Sequence, residues 1–144
     1  MGQVTVRKIV EGHSHLLLRV DLLSDGTGEL SDYVILSPSD LVPPRQNDFA
    51  AFRLMQVWYA MAKFNLTIKV GTVTPSVLWT LAADCDSHTD FRSFGGLIDP
   101  LVYTNPQADT DGKLTLTSSG FAPAGSAGTL VFELRKTNRA AVSP

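Results

Sequence analysis

Two histidines near the start of the chain are the first residues whose spacing could support chemistry. His13 and His15 are two positions apart, so on a strand both imidazole rings would lie on one face, where they could bind a metal ion. A metal site needs at least a third protein ligand, which this pair does not supply. We therefore expect two solvated histidines beside a turn and no metal ion.

Residues 84–88, Asp-Cys-Asp-Ser-His, concentrate the most reactive side chains of the sequence. Cys85 and His88 are the types that act as nucleophile and base, but a catalytic thiol also needs an orienting group and an oxyanion site. Adjacency in the sequence does not supply that geometry, and the flanking Asp84 and Asp86 disfavour a further negative charge on the thiol. We expect a polar loop between two strands.

Residues 109–112, Asp-Thr-Asp-Gly, resemble the opening of a calcium loop, but the position of the closing Glu is occupied by Gly120. The pattern therefore indicates a turn before a strand. No glycine-rich segment ends in Gly-Lys-Ser/Thr, and no carboxylate pair, triad or metal set has the pattern of an active site. We expect a protein that is not an enzyme and has no cofactor and no small-molecule substrate.

Length and charge narrow the class of protein further. The chain has 144 residues, about one domain, and a net charge of −2, which disfavours binding to a phosphate backbone. No apolar run approaches the roughly 18 residues of a membrane span, and the N-terminus lacks the apolar stretch of a signal peptide. Cys85 has no second cysteine to pair with, which fits synthesis in a reducing cytosol. We expect neither a nucleic-acid nor a membrane partner.

The chain alternates polar and apolar residues with frequent turn residues between, which is typical of short strands. This pattern predicts an all-β fold, an antiparallel two-sheet β-sandwich that is jelly-roll-like and has extended terminal arms at residues 1–10 and 135–144. We expect a single domain over residues 1–144, with its core at about 3–136 and a polar tail at 137–144. The predicted strands are residues 3–10, 15–23, 33–36, 65–70, 76–81, 89–94, 113–118 and 129–136.

Residues 49–62 fit two kinds of secondary structure. They contain good helix formers over a sufficient length, which favours a buried helix. Alternate residues from Phe52 to Ala62 also form a period-two set, which favours a strand. We favour the strand and leave the helix open.

Large aromatic and arginine side chains are the candidates for contact with other proteins. Trp58 and Tyr59 lie on a strand-like segment, where such residues more often serve as core or interface anchors than as a ligand platform. Arg53, Arg92 and Tyr103 join them because Arg and Tyr dominate the energetics of interfaces. Charged residues make up 18% of the chain against a usual quarter or so, which suits a surface partly covered by neighbours.

Several motifs follow one another in a characteristic order along the chain. The most specific is Asp-Phe-x-x-Phe-Gly-Gly-Leu at residues 90–97. The others are Gln-Val-Trp-Tyr at 56–59, Leu-Thr-Ile-Lys-Val at 66–70, Val-Leu-Trp at 77–79, Asp-Gly-Lys-Leu-Thr-Leu-Thr at 111–117 and Gly-Thr-Leu-Val-Phe-Glu-Leu-Arg-Lys at 128–136. In this order the motifs resemble a family of small virion structural proteins of tailed bacteriophages, and the resemblance spans roughly residues 3–136.

The resemblance implies a capsid decoration or cement protein. Such a protein would bind and bridge subunits of the major capsid protein on the capsid surface, as a homotrimer, after synthesis in the host bacterial cytoplasm. One alternative is a tail, head–tail adaptor or fibre-associated virion protein. Another is a carbohydrate-binding β-sandwich module, for which Trp58 together with Asp residues is the one hint.

Overall fold

The computed structural model describes residues 2–12, 14–41, 52–73, 75–98, 112–121 and 124–136. These residues form strands and two short 3₁₀ turns, at Pro38–Asp40 and Arg92–Phe94, without an α-helix. Accordingly, the described ranges contain no helical stretch with the length and apolarity that crossing a bilayer requires. The strands are β1 (Gly2–Glu11), β2 (His15–Ser24), β3 (Tyr33–Leu36), β4 (Phe52–Ala62), β5 (Asn65–Val70), β6 (Ser76–Leu81), β7 (Asp86–Asp90), β8 (Leu114–Ser119) and β9 (Ala127–Lys136).

Two antiparallel sheets contain all nine of these strands. The five-stranded sheet has the order β1-β2-β9-β4-β7, and the four-stranded sheet has the order β3-β8-β5-β6. Neighbours in each sheet are rarely neighbours in sequence, since β9 pairs with both β2 and β4. The predicted all-β, two-sheet, jelly-roll-like sandwich is confirmed.

The core lies between the two sheets and comes from alternate residues of each strand. In β9 the side chains of Leu130, Phe132 and Leu134 have no exposed area, and Leu66 and Ile68 of β5 are equally buried in the other sheet. At one end of the sandwich, the rings of Phe64 and Phe121 meet edge to face at 4.9 Å. The period-two pattern of the sequence therefore corresponds to burial of one face of each sheet.

Residues 52–62 are a strand, and residues 49–51 of the ambiguous segment lie outside the described ranges. The single period-two set predicted there is wrong, because the register with β9 shifts between Leu54 and Gln56. One extra residue in β4 forms a bulge, which changes the face to which later side chains point. Leu54 therefore faces the core, whereas Trp58 and Ala60 face away from it.

The segment predicted as an N-terminal arm is strand β1, an edge strand that pairs with β2 along its length. A bulge between Lys8 and Val10 leaves Ile9 half exposed. The predicted C-terminal tail at 137–144 lies outside the described residues.

The polar segment before Phe91 differs from the sequence prediction. Its strand is Asp86–Asp90 rather than residues 89–94, and a 3₁₀ turn follows at Arg92–Phe94. The sequence gives little sign of this strand because β7 is an edge strand whose side chains are mostly exposed, so it lacks apolar alternation. Gly96 then returns the chain to β4 with φ of 89°, where a Cβ would lie 3.2 Å from the carbonyl oxygen of Leu54.

A nearly buried ion pair closes the end of the five-stranded sheet. The Nζ atom of Lys136 lies 2.7 Å from Oε2 of Glu11 and donates a hydrogen bond to the carbonyl oxygen of Gly12 at 2.9 Å. The side chain of Lys136 is only 1% exposed, and Glu11 also contacts Lys8 at 2.9 Å. The pair joins the last residue of β9 to the end of β1.

We predict that Glu11→Ala lowers the free energy of unfolding by about 3 kcal/mol, because it leaves the ammonium group of Lys136 buried without its carboxylate. Urea unfolding followed by circular dichroism measures this change. Arg19→Gln is the matched control, since it removes an exposed pair with Asp21 and should cost less than about 1 kcal/mol. Equal losses in the two variants would contradict the assignment.

Candidate functional site

The outer face of the five-stranded sheet, turned away from the four-stranded sheet, carries a continuous row of small and acidic side chains. Cross-strand pairing places Thr5 opposite Asp21, Asp21 opposite Thr129, Thr129 opposite Ala60 and Ala60 opposite Asp86. The row thus crosses all five strands in register. Because the side chains at its centre are short, they leave space above the sheet.

The next row of cross-strand partners, on the side nearer the bulge in β4, has larger and more varied side chains. Arg19 pairs with Val131, Val131 with Trp58, and Trp58 with His88. The indole ring of Trp58 and the imidazole ring of His88 are stacked, with centroids 4.9 Å apart and planes inclined by 7°. This aromatic pair stands beside the row of small residues.

Together the two rows border an open depression, which we call the outer groove. It consists of adjoining cavities of about 590 and 470 Å³ that share Ala60, Asp86 and Thr129. The first cavity extends to Asp21 and to the turn at Asp84, and the second is lined by Trp58 and His88 among others. The outer groove therefore has a floor of small residues, acidic walls and one aromatic wall.

A chain of hydrogen bonds holds the aromatic wall in place. Nε2 of Gln56 donates to Oε1 of Glu133 at 2.8 Å, which directs Oε1 of Gln56 towards His88. That oxygen lies 2.7 Å from Nε2 of His88 and can only accept, so Nε2 of His88 carries the proton. Gln56 is 5% exposed, so this amide fixes the ring from beneath.

The three carboxylates of the outer groove differ in their hydrogen-bond and ion-pair partners. Asp21 accepts a hydrogen bond from the hydroxyl of Thr129 at 3.0 Å and pairs with Nε of Arg19 at 3.2 Å. Asp84 accepts one from the backbone N–H of Lys63 at 2.9 Å. Within the described part of the chain, the carboxylate of Asp86 has neither a hydrogen bond nor an ion pair.

The thiol and imidazole of residues 84–88 do not form a catalytic pair. Cys85 is exposed at the turn before β7, and its carbonyl oxygen accepts a hydrogen bond from the N–H of Met61 at 2.9 Å. His88 instead stacks on Trp58 at the other end of the outer groove. No group of three or more His, Cys, Asp or Glu in the described ranges could hold a metal ion.

The predicted interface residues do not form one surface. Trp58 lies in the outer groove, but Tyr59 points the other way and packs against the core. Arg53 donates a hydrogen bond from a guanidinium nitrogen to the carbonyl oxygen of Gly95 at 3.3 Å. Tyr103 lies outside the described residues, as do His13 and residues 109–111 of the calcium-like pattern.

Arg92 is the last of the predicted interface residues. Its guanidinium group forms an ion pair with Asp90, two positions earlier in the sequence. Its Nη2 atom lies 2.7 Å from Oδ2 of Asp90, and its Nε lies 3.0 Å from both carboxylate oxygens. These bonds lower the pKa of Asp90 to about 2. The pair stabilises the junction between β7 and the following 3₁₀ turn.

Three residues of the outer groove were not predicted from the sequence. Ala60 and Thr129 form its floor, and Asp86 contributes an exposed carboxylate. The three residues lie on three different strands, and only the register of β4 with β9 and β7 brings them together. The glycine inside β9 is not a signal for this arrangement, because Gly128 faces the core, where a Cβ would lie 3.1 Å from the ring of Phe64.

No protein-family model matches the chain, and neither does any curated protein. The solved structures that resemble it at low identity include two cupin proteins and an epoxidase. An RmlC-like cupin family protein with a double-stranded β-helix fold from Methanocaldococcus jannaschii has 8% identity and a TM-score of 0.34, with 99% of this chain and 87% of that one covered. A cupin superfamily protein from Desulfitobacterium hafniense has 6% identity and a TM-score of 0.33, with coverage of 94% and 79%.

The third structure is hydroxypropylphosphonic acid epoxidase from S. wedmorenis in complex with fosfomycin. It has 11% identity and a TM-score of 0.30, with 94% of this chain and 55% of the epoxidase covered. Similarity at these TM-scores assigns neither an activity nor a ligand to this chain.

These structures correct two predictions made from the sequence. They are cupin proteins and an epoxidase rather than phage virion proteins, so the predicted function as a capsid decoration or cement protein is wrong. Neither that function nor its alternatives is carried further. The expectation of a protein that is not an enzyme is likewise contradicted, because the matched structures include an enzyme, but a match of this TM-score assigns no activity to the chain. The predicted partners and capsid-surface location remain predictions that no finding tests.

We predict that Arg92→Gln raises the pKa of Asp90 from about 2 towards the ordinary range near 4, because it removes the hydrogen bonds that favour the carboxylate. Carboxyl ¹³C shifts recorded against pH measure this change. Since the pKa is depressed in the folded protein, the stabilisation is present above about pH 4 and is lost as the pH falls towards 2. Asp25, whose low pKa comes from Thr27, should titrate identically in both proteins.

We predict that neutral His88 is protonated at Nε2, because the amide of Gln56 can only accept there. Long-range ¹H–¹⁵N correlation spectra distinguish the two tautomers. Gln56→Leu should release this preference and broaden the ring signals of Trp58. A wild-type ring protonated at Nδ1 would contradict the hydrogen-bond chain.

Proposed function

We propose that the outer groove is a binding site for a small organic molecule. The observation that carries this proposal is the carboxylate of Asp86, which lies without a partner among the described residues beside an exposed aromatic pair. Charged and aromatic groups that converge on an open space are typical of a ligand site. The proposal departs from the expectation, drawn from the sequence, that the chain recognises no small molecule.

The floor of the outer groove is rigid enough to be formed before a ligand arrives. Ala60 and Thr129 belong to β4 and β9, which pair over ten positions in the interior of the sheet. Their backbone hydrogen bonds and the buried side chains beneath them fix the floor. A preformed site loses less conformational entropy on binding than a mobile loop does.

The walls provide contacts of different chemistry along the length of the groove. Asp84 and Asp86 stand on one side, and the stack of Trp58 on His88 stands at the end where the second cavity lies. Trp58 is 37% exposed, which is high for an indole ring on a central strand. A ligand that covers this ring would remove apolar surface from water, at about 25 cal/mol per Å² before the cost of association.

The test is to fill the space while leaving the charges in place. Ala60→Phe would occupy the floor with a ring that an outward strand position tolerates, and Ala82→Phe at an exposed site outside the groove is the matched control. Saturation-transfer NMR would be recorded with choline, L-arginine, methyl glucoside and benzoate, each alone.

We expect at least one of these probes to bind the wild-type protein and the Ala82→Phe variant equally. In Ala60→Phe its affinity should fall by about tenfold or more, because the ring excludes the probe from the floor. Circular dichroism checks that both variants retain their sheets. Absence of binding by all four probes, or equal binding by Ala60→Phe, would overturn the proposal.

A further inference from the structure

We infer that a second copy of this chain docks on the outer face of the five-stranded sheet and covers the outer groove. The two copies are related by a twofold axis that lies between the two faces, so each copy contributes the same surface. This self-association goes beyond the function proposed above, and only its effect on the ligand rests on that function.

The two ends of the outer face carry opposite charges. At one end, the row of small and acidic side chains includes Asp21 and Asp86. At the other end, β9 pairs with β2 and β4 so that His15, Arg135 and Arg53 lie side by side. A face with this order of charges is complementary to a second copy of itself whose strands run the opposite way.

The basic end cannot compensate the acidic end within a single chain. Arg135 is six residues from Thr129 on β9, a separation of about 20 Å along an extended strand, which is beyond the reach of its side chain. Arg135 is exposed and forms no hydrogen bond or ion pair with any other residue that the structure describes. Its charge is therefore available to a partner.

A twofold axis that runs across the strands brings the opposite ends together. The four outward side chains in the second half of β9 are Thr129, Val131, Glu133 and Arg135. An axis between Val131 and Glu133 places Arg135 of each copy over Thr129 of the other, beside Asp21. Because the axis relates the two copies to each other, this contact between opposite charges forms twice.

The shapes of the two ends also fit. The short side chains of Thr129 and Ala60 leave the outer groove open, with about 590 Å³ in its first cavity. The long, exposed side chain of Arg135 stands at the opposite end of β9 and can enter this space in the second copy. Trp58 is 37% exposed and lies beside the axis, where docking covers its ring. The interface thus has an aromatic centre and charged ends, as protein interfaces commonly do.

The area of the face indicates a weak dimer. Five strands about 4.8 Å apart, over about eight residues of about 3.3 Å each, give roughly 600 Å² of sheet per copy. This area is smaller than the ~800 Å² per partner of a standard stable interface. We therefore expect a dissociation constant in the micromolar range, so that the outer groove is open in the dilute protein and covered in the concentrated one.

Sedimentation equilibrium of the wild-type protein tests the self-association itself. We expect a monomer–dimer equilibrium whose dissociation constant rises by about fivefold or more between 50 and 500 mM salt, because salt screens the contacts between opposite charges. A protein that stays monomeric up to about 1 mM would overturn the inference. So would a dimer that is indifferent to salt.

Charge reversal tests which residues meet. Arg135→Glu and Asp21→Arg should each weaken the dimer by about tenfold or more, because each brings like charges together at both ends. An equimolar mixture of the two variants should associate nearly as well as the wild-type protein, since both ends of the mixed pair again join opposite charges. This rescue cannot arise from a loss of folding, which circular dichroism checks separately.

Asp40→Arg is the matched control, because it makes the same change of charge at an exposed residue of the turn after β3. It should leave the dissociation constant of the dimer unchanged. An equal effect of Asp40→Arg and Asp21→Arg, or a mixture that stays monomeric, would contradict the assigned interface.

This inference and the proposed function fail in different ways. If the wild-type protein dimerises as described and none of the four small-molecule probes binds the dilute protein, the proposed function is wrong and the dimer remains. If a probe binds and the protein is monomeric throughout, the dimer is wrong and the binding site remains. If both are correct, a saturating amount of the bound probe should shift the equilibrium towards the monomer.

Discussion

The pairing of β9 with two strands at once is the constraint on which the rest of the structure depends. β9 is the last strand in sequence, yet it lies in the middle of the five-stranded sheet between β2 and β4. One face of it buries Leu130, Phe132 and Leu134 against the other sheet, which removes these side chains from water completely. A shift of one residue would exchange its buried and exposed faces, so burial of this face fixes the register.

The register of β9 also determines which side chains lie on the outer face of the five-stranded sheet. Once Phe132 faces inward, Val131 and Thr129 must face outward, and their partners Trp58 and Ala60 follow. The pairing of β4 with β7 then adds His88 and Asp86. The outer groove is thus a consequence of core packing rather than of a separate loop, and its walls are held by the same hydrogen-bonded sheet. The amide of Gln56 connects the outer surface to this frame through Glu133 on β9.

The sequence predicts the parts of the fold that follow from local patterns. The alternation of Leu16, Leu18, Val20 and Leu22 is sufficient to predict both the second strand and its buried face. The alternation fails to predict which side chains are buried where a bulge intervenes, as at Met55, because a bulge depends on how two strands meet and not on either strand alone. The position of β7 was not predicted correctly because its Asp-Ser-His-Thr-Asp sequence has no apolar face. The outer groove could not be predicted, since its residues come together only through cross-strand pairs, and the functional prediction that relied on motif order was wrong.

The register of β4 against its neighbours is therefore the claim to test, and nuclear Overhauser effects in solution test it most directly. The account predicts cross-peaks between the indole protons of Trp58 and the imidazole protons of His88, and between the methyl groups of Ala60 and Thr129. Trp58 should show none to the core side chains of Phe132 or Leu134. Strong cross-peaks from the indole of Trp58 to those core residues, with none to His88, would mean that β4 faces the other way and that the outer groove does not exist.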